Sequence, residues 1–154
     1  MKLQISTRLA IFAALELTAR ENHQLSVADI GKKYNVSSHH LAKVMHVMGR
    51  SGLVRAVRGA GGGYRFAGNP RRTTLLDVVQ LFEDVRSMEK DAEAADATHE
   101  GQALRAILSE IDAIAEATLG SITIATMHKL LKQGGSGGGR SKSNPARRRS
   151  VNLQ

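Results

Sequence analysis

The chain has 154 residues and a formal net charge of +8, and its length supports one domain with a real core plus an appendage. Because it contains no cysteine, disulfides and thiolate ligation of zinc or iron–sulfur clusters within the chain are excluded. No apolar run is long enough for a transmembrane helix and the start lacks a signal-peptide core, so we expect a cytoplasmic protein without a membrane partner.

Two short amphipathic helices follow a strongly apolar first helix, which is predicted for Ile5 to Arg20. Ser26 and Asp29 form a capping pattern that predicts the start of the second helix. A break at 35–37 precedes a third helix, capped by Ser37 and ended by glycine at position 52. Two capped helices joined by a tight turn are typical of a helix-turn-helix that lays its later helix in the DNA major groove.

The third helix has one apolar face and one face rich in hydrogen-bond donors. Leucine, valine and methionine recur at helical spacing from 41 to 48 and predict a buried stripe. Two serines begin the helix, where phosphates bind favourably. Histidines are present on the donor face, but no metal site is predicted, because their spacing does not match that of zinc ligands.

Residues 53–67 predict a basic hairpin, which we call the wing. Two β-prone runs, 53–58 and 64–67, flank a glycine-rich tip, so a two-stranded wing is expected. The tip does not open a helix, which excludes a dinucleotide-binding loop. Wing arginines favour DNA backbone or the minor groove. The predicted DNA-binding residues are Ser26, Ser37, Ser38, His39, His40, Lys43, His46, Arg50, Arg55, Arg58, Gly59, Gly62, Gly63, Tyr64 and Arg65.

The C-terminal half is predicted to be a helical body. Thr74 caps a helix that runs to about Glu83, and residues 84–101 form an acidic connector. Residues 102–132 hold a long helix and a closing helix, and residues 133–154 form a disordered Gly/Arg-rich tail. The long helix carries an apolar stripe predicted to form a two-fold dimer interface, unless it folds back on its own domain. The stripe consists of Leu104, Ile107, Leu108, Ile111 and Ile114.

Charge is distributed unevenly along these segments. Residues 1–83 carry a net charge of +7, residues 84–133 carry −4 and residues 134–154 carry +5. A basic head on an acidic body favours a DNA-binding domain over residues 1–83. The alternative is a basic RNA-binding or ribosome-associated module, against which the 3% aromatic content counts. The sequence shows no nucleophile–base pair, no cluster of metal ligands and no phosphate-binding loop, so we do not expect enzymatic activity.

The motif Val57-Arg58-Gly59-Ala60-x-Gly62-Gly63-Tyr64-Arg65, preceded by Gly52-Leu53-Val54 and followed by Pro70 and Asp77-Val78-Val79, resembles the Rrf2 family of bacterial transcriptional regulators. The resemblance covers about residues 1–130, and His40-Leu41-x-Lys43-Val44 is similar to the nitric-oxide-sensing NsrR branch. It implies a mainly α, winged helix-turn-helix repressor that dimerises through residues 102–119 and binds double-stranded DNA. We expect the operator to be palindromic. The resemblance also implies a short closing helix at 123–125.

The chain differs from many members of this family at the positions that ligate their cofactor. Many members hold an iron–sulfur cluster on three cysteines before the long helix, but residues 84–100 contain none, and Arg8 occupies the position of an acidic ligand used by some members. The carboxylates of Glu89, Asp91 and Glu93 are poor substitutes for thiolates. We therefore predict no cofactor. The effector is unknown and is expected to act near residues 82–100.

Overall fold

The computed structural model describes residues 2–85 and 97–135. These residues are mostly helical with one small antiparallel sheet, which confirms the predicted fold class. No helix in these two ranges has the length and apolar character needed to cross a membrane. The elements are α1 (Ile5–Leu17), β1 (Gln24–Leu25), α2 (Val27–Tyr34), α3 (Ser38–Arg50), β2 (Val54–Val57), β3 (Gly63–Phe66), α4 (Leu75–Val79), α5 (His99–Ser121) and α6 (Ile124–Gly135).

The core lies between α1, α3, α4 and the start of α6. Ala10, Ala13 and Ala14 of α1 are fully buried, and their small side chains let neighbouring helices approach closely. The predicted apolar stripe of α3 is confirmed, since Leu41, Val44, Met45 and Met48 are all buried. Burial of this stripe turns the other face of α3 outward.

Local capping defines the helix-turn-helix as the sequence predicts. The Ser26 hydroxyl accepts from the Asp29 N–H at 3.1 Å, and the Asp29 carboxylate accepts from the Ser26 N–H at 3.0 Å. Hydrogen bonds from the Ser26 hydroxyl and N–H hold the pKa of Asp29 below its usual range. A Cβ at Gly31 would lie 2.7 Å from the Val36 carbonyl oxygen, so the tight turn into α3 requires glycine. Ser37 caps α3 by accepting from the His40 N–H at 3.2 Å.

Glu16 joins α1 to α2. Its carboxylate accepts a hydrogen bond from the Tyr34 hydroxyl at 2.6 Å and forms an ion pair with Lys33. The Tyr34 ring stacks on Phe12 with centroids 4.8 Å apart. Partial burial raises the pKa of Glu16, but the bonds from Lys33 and Tyr34 outweigh it and leave that pKa below the usual value. Burial, followed by the bond to Glu16, raises the pKa of Tyr34.

Replacing Tyr34 with phenylalanine is expected to lower the free energy of unfolding at pH 7 by about 1–2 kcal/mol, because the ring packing stays while a hydrogen bond to a carboxylate is lost. Since the pKa of Glu16 is depressed on folding, its contribution is present above the unfolded pKa and is lost as pH falls through the folded pKa. Urea denaturation at pH 7 and at acidic pH measures both effects. An equal difference between wild type and variant at every pH would contradict this role of Glu16.

The sheet has three strands in the order β1-β3-β2: the predicted two-stranded wing is present, and β1 is an additional strand that the sequence did not predict. β2 and β3 form the hairpin, with Val54 opposite Phe66 and Val57 opposite Gly63. β1 pairs with the outer edge of β3. Its two residues are too few to show alternation in the sequence, and its partner lies about 40 residues away along the chain.

The ends of α1 and α4 differ from prediction. α1 ends at Leu17 rather than Arg20, where the Thr18 hydroxyl donates to the Ala14 carbonyl oxygen at 2.6 Å. α4 ends at Val79 rather than near Glu83. Glu83 accepts from the Gln4 N–H at 3.1 Å and from the Thr7 hydroxyl, and so holds the start of α1, whose N-cap residue makes no side-chain capping bond.

The helical body begins at Thr98, which caps α5 within the segment predicted as a connector, and α6 continues through Gly135. The predictions for residues 86–96 and 136–154 lie outside the described residues. The α5–α6 junction is fixed to the loop before α4. The Leu75 N–H donates to the Ile122 carbonyl oxygen at 2.8 Å, and the Ile124 N–H donates to the Thr73 carbonyl oxygen at 2.9 Å.

Candidate nucleic-acid interface

The outward face of α3 carries a row of hydrogen-bond donors. His39, Lys43, His46 and Arg50 are all exposed, opposite the buried stripe. They span the twelve residues from 39 to 50, a rise of about 16 Å along the helix. No acidic residue lies on α3, so this row presents donors and positive charge without a carboxylate from its own helix.

The start of α3 holds the remaining predicted helix residues. Ser38 is exposed, whereas the Ser37 hydroxyl is engaged as the cap. His40 is half-buried, and its Nε2 lies 3.2 Å from the Ser6 hydroxyl of α1. Ser26 uses its hydroxyl in the α2 cap. The structure therefore gives Ser26, Ser37 and His40 positioning contacts, and it leaves Ser38 open to a ligand.

The wing places two arginines side by side. Arg55 on β2 lies directly opposite Arg65 on β3, and both side chains are exposed. Like charges in directly opposed positions destabilise a sheet. Neither arginine forms an ion pair within the described residues, so the unfavourable pair has no internal compensation there. An anion such as a DNA phosphate would supply it.

The glycines of the wing have backbone roles of their own. Gly59 has a φ of 107°, a left-handed conformation that favours glycine, and its carbonyl oxygen accepts from the Gly62 N–H at 2.9 Å. A Cβ at Gly62 would lie 2.7 Å from the Val57 carbonyl oxygen, and one at Gly63 would collide with the Leu25 carbonyl. These positions shape the wing and set Arg58, which is exposed, beside its tip.

An open groove of about 430 Å³ lies between the C-terminal half of α3 and the wing. His46 and Arg50 line it from α3, and Arg55 and Tyr64 line it from the sheet. The exposed face of α3 and the wing thus share one basic surface. Tyr64 is half-buried and packs against the core, which leaves it a small exposed area.

Sequence reasoning missed Gln24 as part of this surface. Gln24 is opposite Arg65 on the β1 side, so Gln24, Arg65 and Arg55 occupy one row across the three strands. The Gln24 amide donates to the Gly61 carbonyl oxygen and so holds the wing tip. Only the pairing of β1 with β3, which no local pattern indicates, could have identified this residue.

The chain matches the family model described as "Rrf2: Iron-dependent Transcriptional regulator" over residues 3–129. It is 47% identical over 131 residues to a protein of Rhodopseudomonas palustris named as the HTH-type transcriptional regulator BadM, covering 85% of this chain and 83% of that protein. It is 37% identical over 79 residues to the HTH-type transcriptional regulator NsrR of Shouchella clausii, covering 51% of each chain.

The fold is similar to a solved structure titled T. potens IscR, with a TM-score of 0.70 and 25% sequence identity. The similarity covers 87% of this chain and 90% of that one. Since the alignment includes both the head and the helical body, the arrangement of the long helix behind a winged head is common to the two proteins.

The iron named in the family description prompts a test of the residues present here. The 154 residues contain no cysteine, whereas iron–sulfur clusters are held by thiolates. Arg8 is exposed, with its guanidinium carbon 6.0 Å from the centre of the Phe12 ring, and it offers no ligand atom. Among residues 2–85 and 97–135, no three histidine, aspartate or glutamate side chains cluster as metal ligands. These residues do not fit an iron–sulfur cluster.

Proposed function

This chain belongs to the Rrf2 family of transcriptional regulators, and we propose that it is a homodimeric repressor that binds a palindromic operator without an iron–sulfur cluster. The observation that carries the proposal is the continuous basic surface formed by the donor row of α3 and the uncompensated arginines of the wing. Such a surface offers hydrogen-bond donors to base edges and positive charge to phosphates.

In this proposal α3 lies in the major groove. His39 and Lys43, near its N-terminus, contact base edges, and Ser38 contacts a phosphate. Arg55 and Arg65 neutralise backbone phosphates beside the groove, while Arg58 reaches the adjacent minor groove. The helix then determines sequence preference and the wing contributes mainly affinity.

The exposed apolar stripe of α5 supports the dimer. Leu104, Ile107, Ile111 and Ile114 are between 55% and 60% exposed, and no residue of α5 is buried. Four large aliphatic side chains in a row on one helix face form a patch that soluble monomers rarely expose. A second copy of α5 related by a two-fold axis would cover this stripe and present two α3 helices to two half-sites.

Duplex binding distinguishes this proposal from the RNA-binding alternative. We expect the full chain and a chain ending at Gly135 to prefer a selected DNA duplex over single-stranded RNA of the same length, because α3 and the wing are present in both. Fluorescence anisotropy at two salt concentrations measures this, since affinity for DNA falls with salt as phosphate contacts are lost. Tighter binding to RNA that disappears with the tail would contradict the proposal.

A further inference from the structure

A second cavity, of about 310 Å³, lies at the base of the wing, on the side of α1. It is open to solvent on one side and is bounded by the end of α1, the turn into β1, the base of β3 and the loop before α4. We call it the wing-base cavity. Its lining residues are Leu17, Thr18, Arg20, Glu21, Asn22, His23, Arg65, Phe66, Gly68 and Pro70.

The lining combines an apolar part with an excess of positive charge. Leu17, Phe66 and Pro70 supply the apolar part. Arg20 and Arg65 both line the cavity, and neither forms an ion pair within the described part of the chain. Glu21 is the one acidic residue of the lining, so the two guanidinium groups outnumber it. Small-molecule sites likewise combine apolar surface with polar groups that fix the orientation of the ligand.

Neighbouring contacts hold the polar groups in place. The carboxylate of Glu16, on the last turns of α1, is engaged by Lys33 and Tyr34 and does not neutralise Arg20. The Glu16 carbonyl oxygen lies 3.0 Å from His23 Nδ1, which must donate to it because a carbonyl only accepts. The left-handed Asn22, with φ of 53°, closes the turn between them.

We propose that the wing-base cavity binds a small monocarboxylate with an apolar body, and that the bound ligand weakens DNA binding. The carboxylate pairs with Arg20 and Arg65, while the apolar body covers Leu17 and Phe66. The regulatory half of this inference rests on the proposed function, because Arg65 belongs to both surfaces. A guanidinium held by a ligand carboxylate is not available to a phosphate, so the two ligands compete for it.

The cavity is also joined to the helical body. The Thr18 hydroxyl lies 2.9 Å from His128 Nε2 of α6, and the Pro70 carbonyl oxygen accepts from the Ala125 N–H at 2.9 Å. A ligand that shifts the walls of the cavity therefore acts on α6 as well as on the wing. This location differs from the region around residues 82–100 that the sequence suggests for an effector.

Calorimetric titration and thermal melting of the full chain with butanoate, hexanoate and octanoate test the site. We expect saturable binding of hexanoate, one per chain, and a rise in Tm, because a ligand that binds only the native state stabilises it. Hexan-1-ol and hexanamide, which lack the charge, should do neither. Arg20→Ala should weaken hexanoate binding at least tenfold, whereas Arg71→Ala, an exposed arginine outside the cavity, should leave it unchanged.

Measuring DNA affinity with bound hexanoate separates ligand binding at the cavity from its proposed coupling to DNA binding. With saturating hexanoate we expect affinity for a selected duplex to fall about fivefold or more, and the duplex to weaken hexanoate binding by the same factor. Absence of binding by all three carboxylates, an equal response to hexan-1-ol, or full binding by Arg20→Ala would overturn the site. Binding with unchanged DNA affinity would overturn the coupling. Hexanoate binding by a protein without DNA affinity would leave the site standing and refute the proposed function instead.

Discussion

Replacing Ile111 with aspartate is expected to convert the protein from a dimer to a monomer and to abolish tight operator binding. Ile111 is 55% exposed in the single chain and lies in the middle of the α5 stripe. In the proposed dimer the new carboxylate would be buried without a partner, which costs several kcal/mol. Because each protomer holds one half-site, loss of the dimer removes the second set of contacts.

Ala113→Asp is the matched control for this change. Ala113 is also exposed on α5, but two residues further along the helix it points about 200° away from Ile111. Light scattering and operator binding should be unaffected by it. A dimeric Ile111→Asp variant, or a monomeric wild type with full operator affinity, would contradict the assignment of this stripe.

Replacing Lys43 with alanine is expected to weaken operator binding by about 1–3 kcal/mol and to relax sequence preference, because its exposed ammonium lies in the middle of the α3 donor row. Arg58→Ala should cost a similar amount but change sequence preference less, because in the proposed complex Arg58 enters the minor groove, where the pattern of base edges is largely degenerate. Competition anisotropy with operator and scrambled duplexes separates these effects.

Lys129→Ala provides the charge-matched control. Lys129 is exposed on α6, and its removal changes the net charge as Lys43→Ala does. We expect it to alter binding by less than about 0.5 kcal/mol, the usual limit for surface substitutions. If the two lysine variants lose equal affinity, or if Lys43→Ala retains wild-type binding while folded, α3 is not the recognition helix.

Local patterns were sufficient to predict most of the fold. The cap of Ser26 and Asp29 and the buried stripe of α3 depend on residues within a few positions of each other, and the structure contains both. The contact of Glu83 with the first residues of α1, 79 positions away, could not be predicted from local patterns. β1 was missed for the same kind of reason, since its pairing with β3 is determined by tertiary contacts.

In the candidate site, too, the features that depend on local sequence were predictable and those that depend on long-range contacts were not. Helical periodicity alone predicted that His39, Lys43 and His46 lie on the exposed face of α3. The sequence could not predict that Arg55 and Arg65 oppose each other, because that depends on the register of the hairpin. Nor could it predict the hydrogen bond between Ser6 and His40, which joins two helices.

The most direct test of the account is hydroxyl-radical footprinting of the full chain on an operator selected from genomic fragments. We predict two symmetric protected regions whose centres are about one helical turn of DNA, or a multiple of it, apart. Affinity for this operator should exceed that for a scrambled duplex by about a thousandfold or more. A single protected region, or equal affinity for the scrambled duplex, would contradict sequence-specific recognition by a dimer.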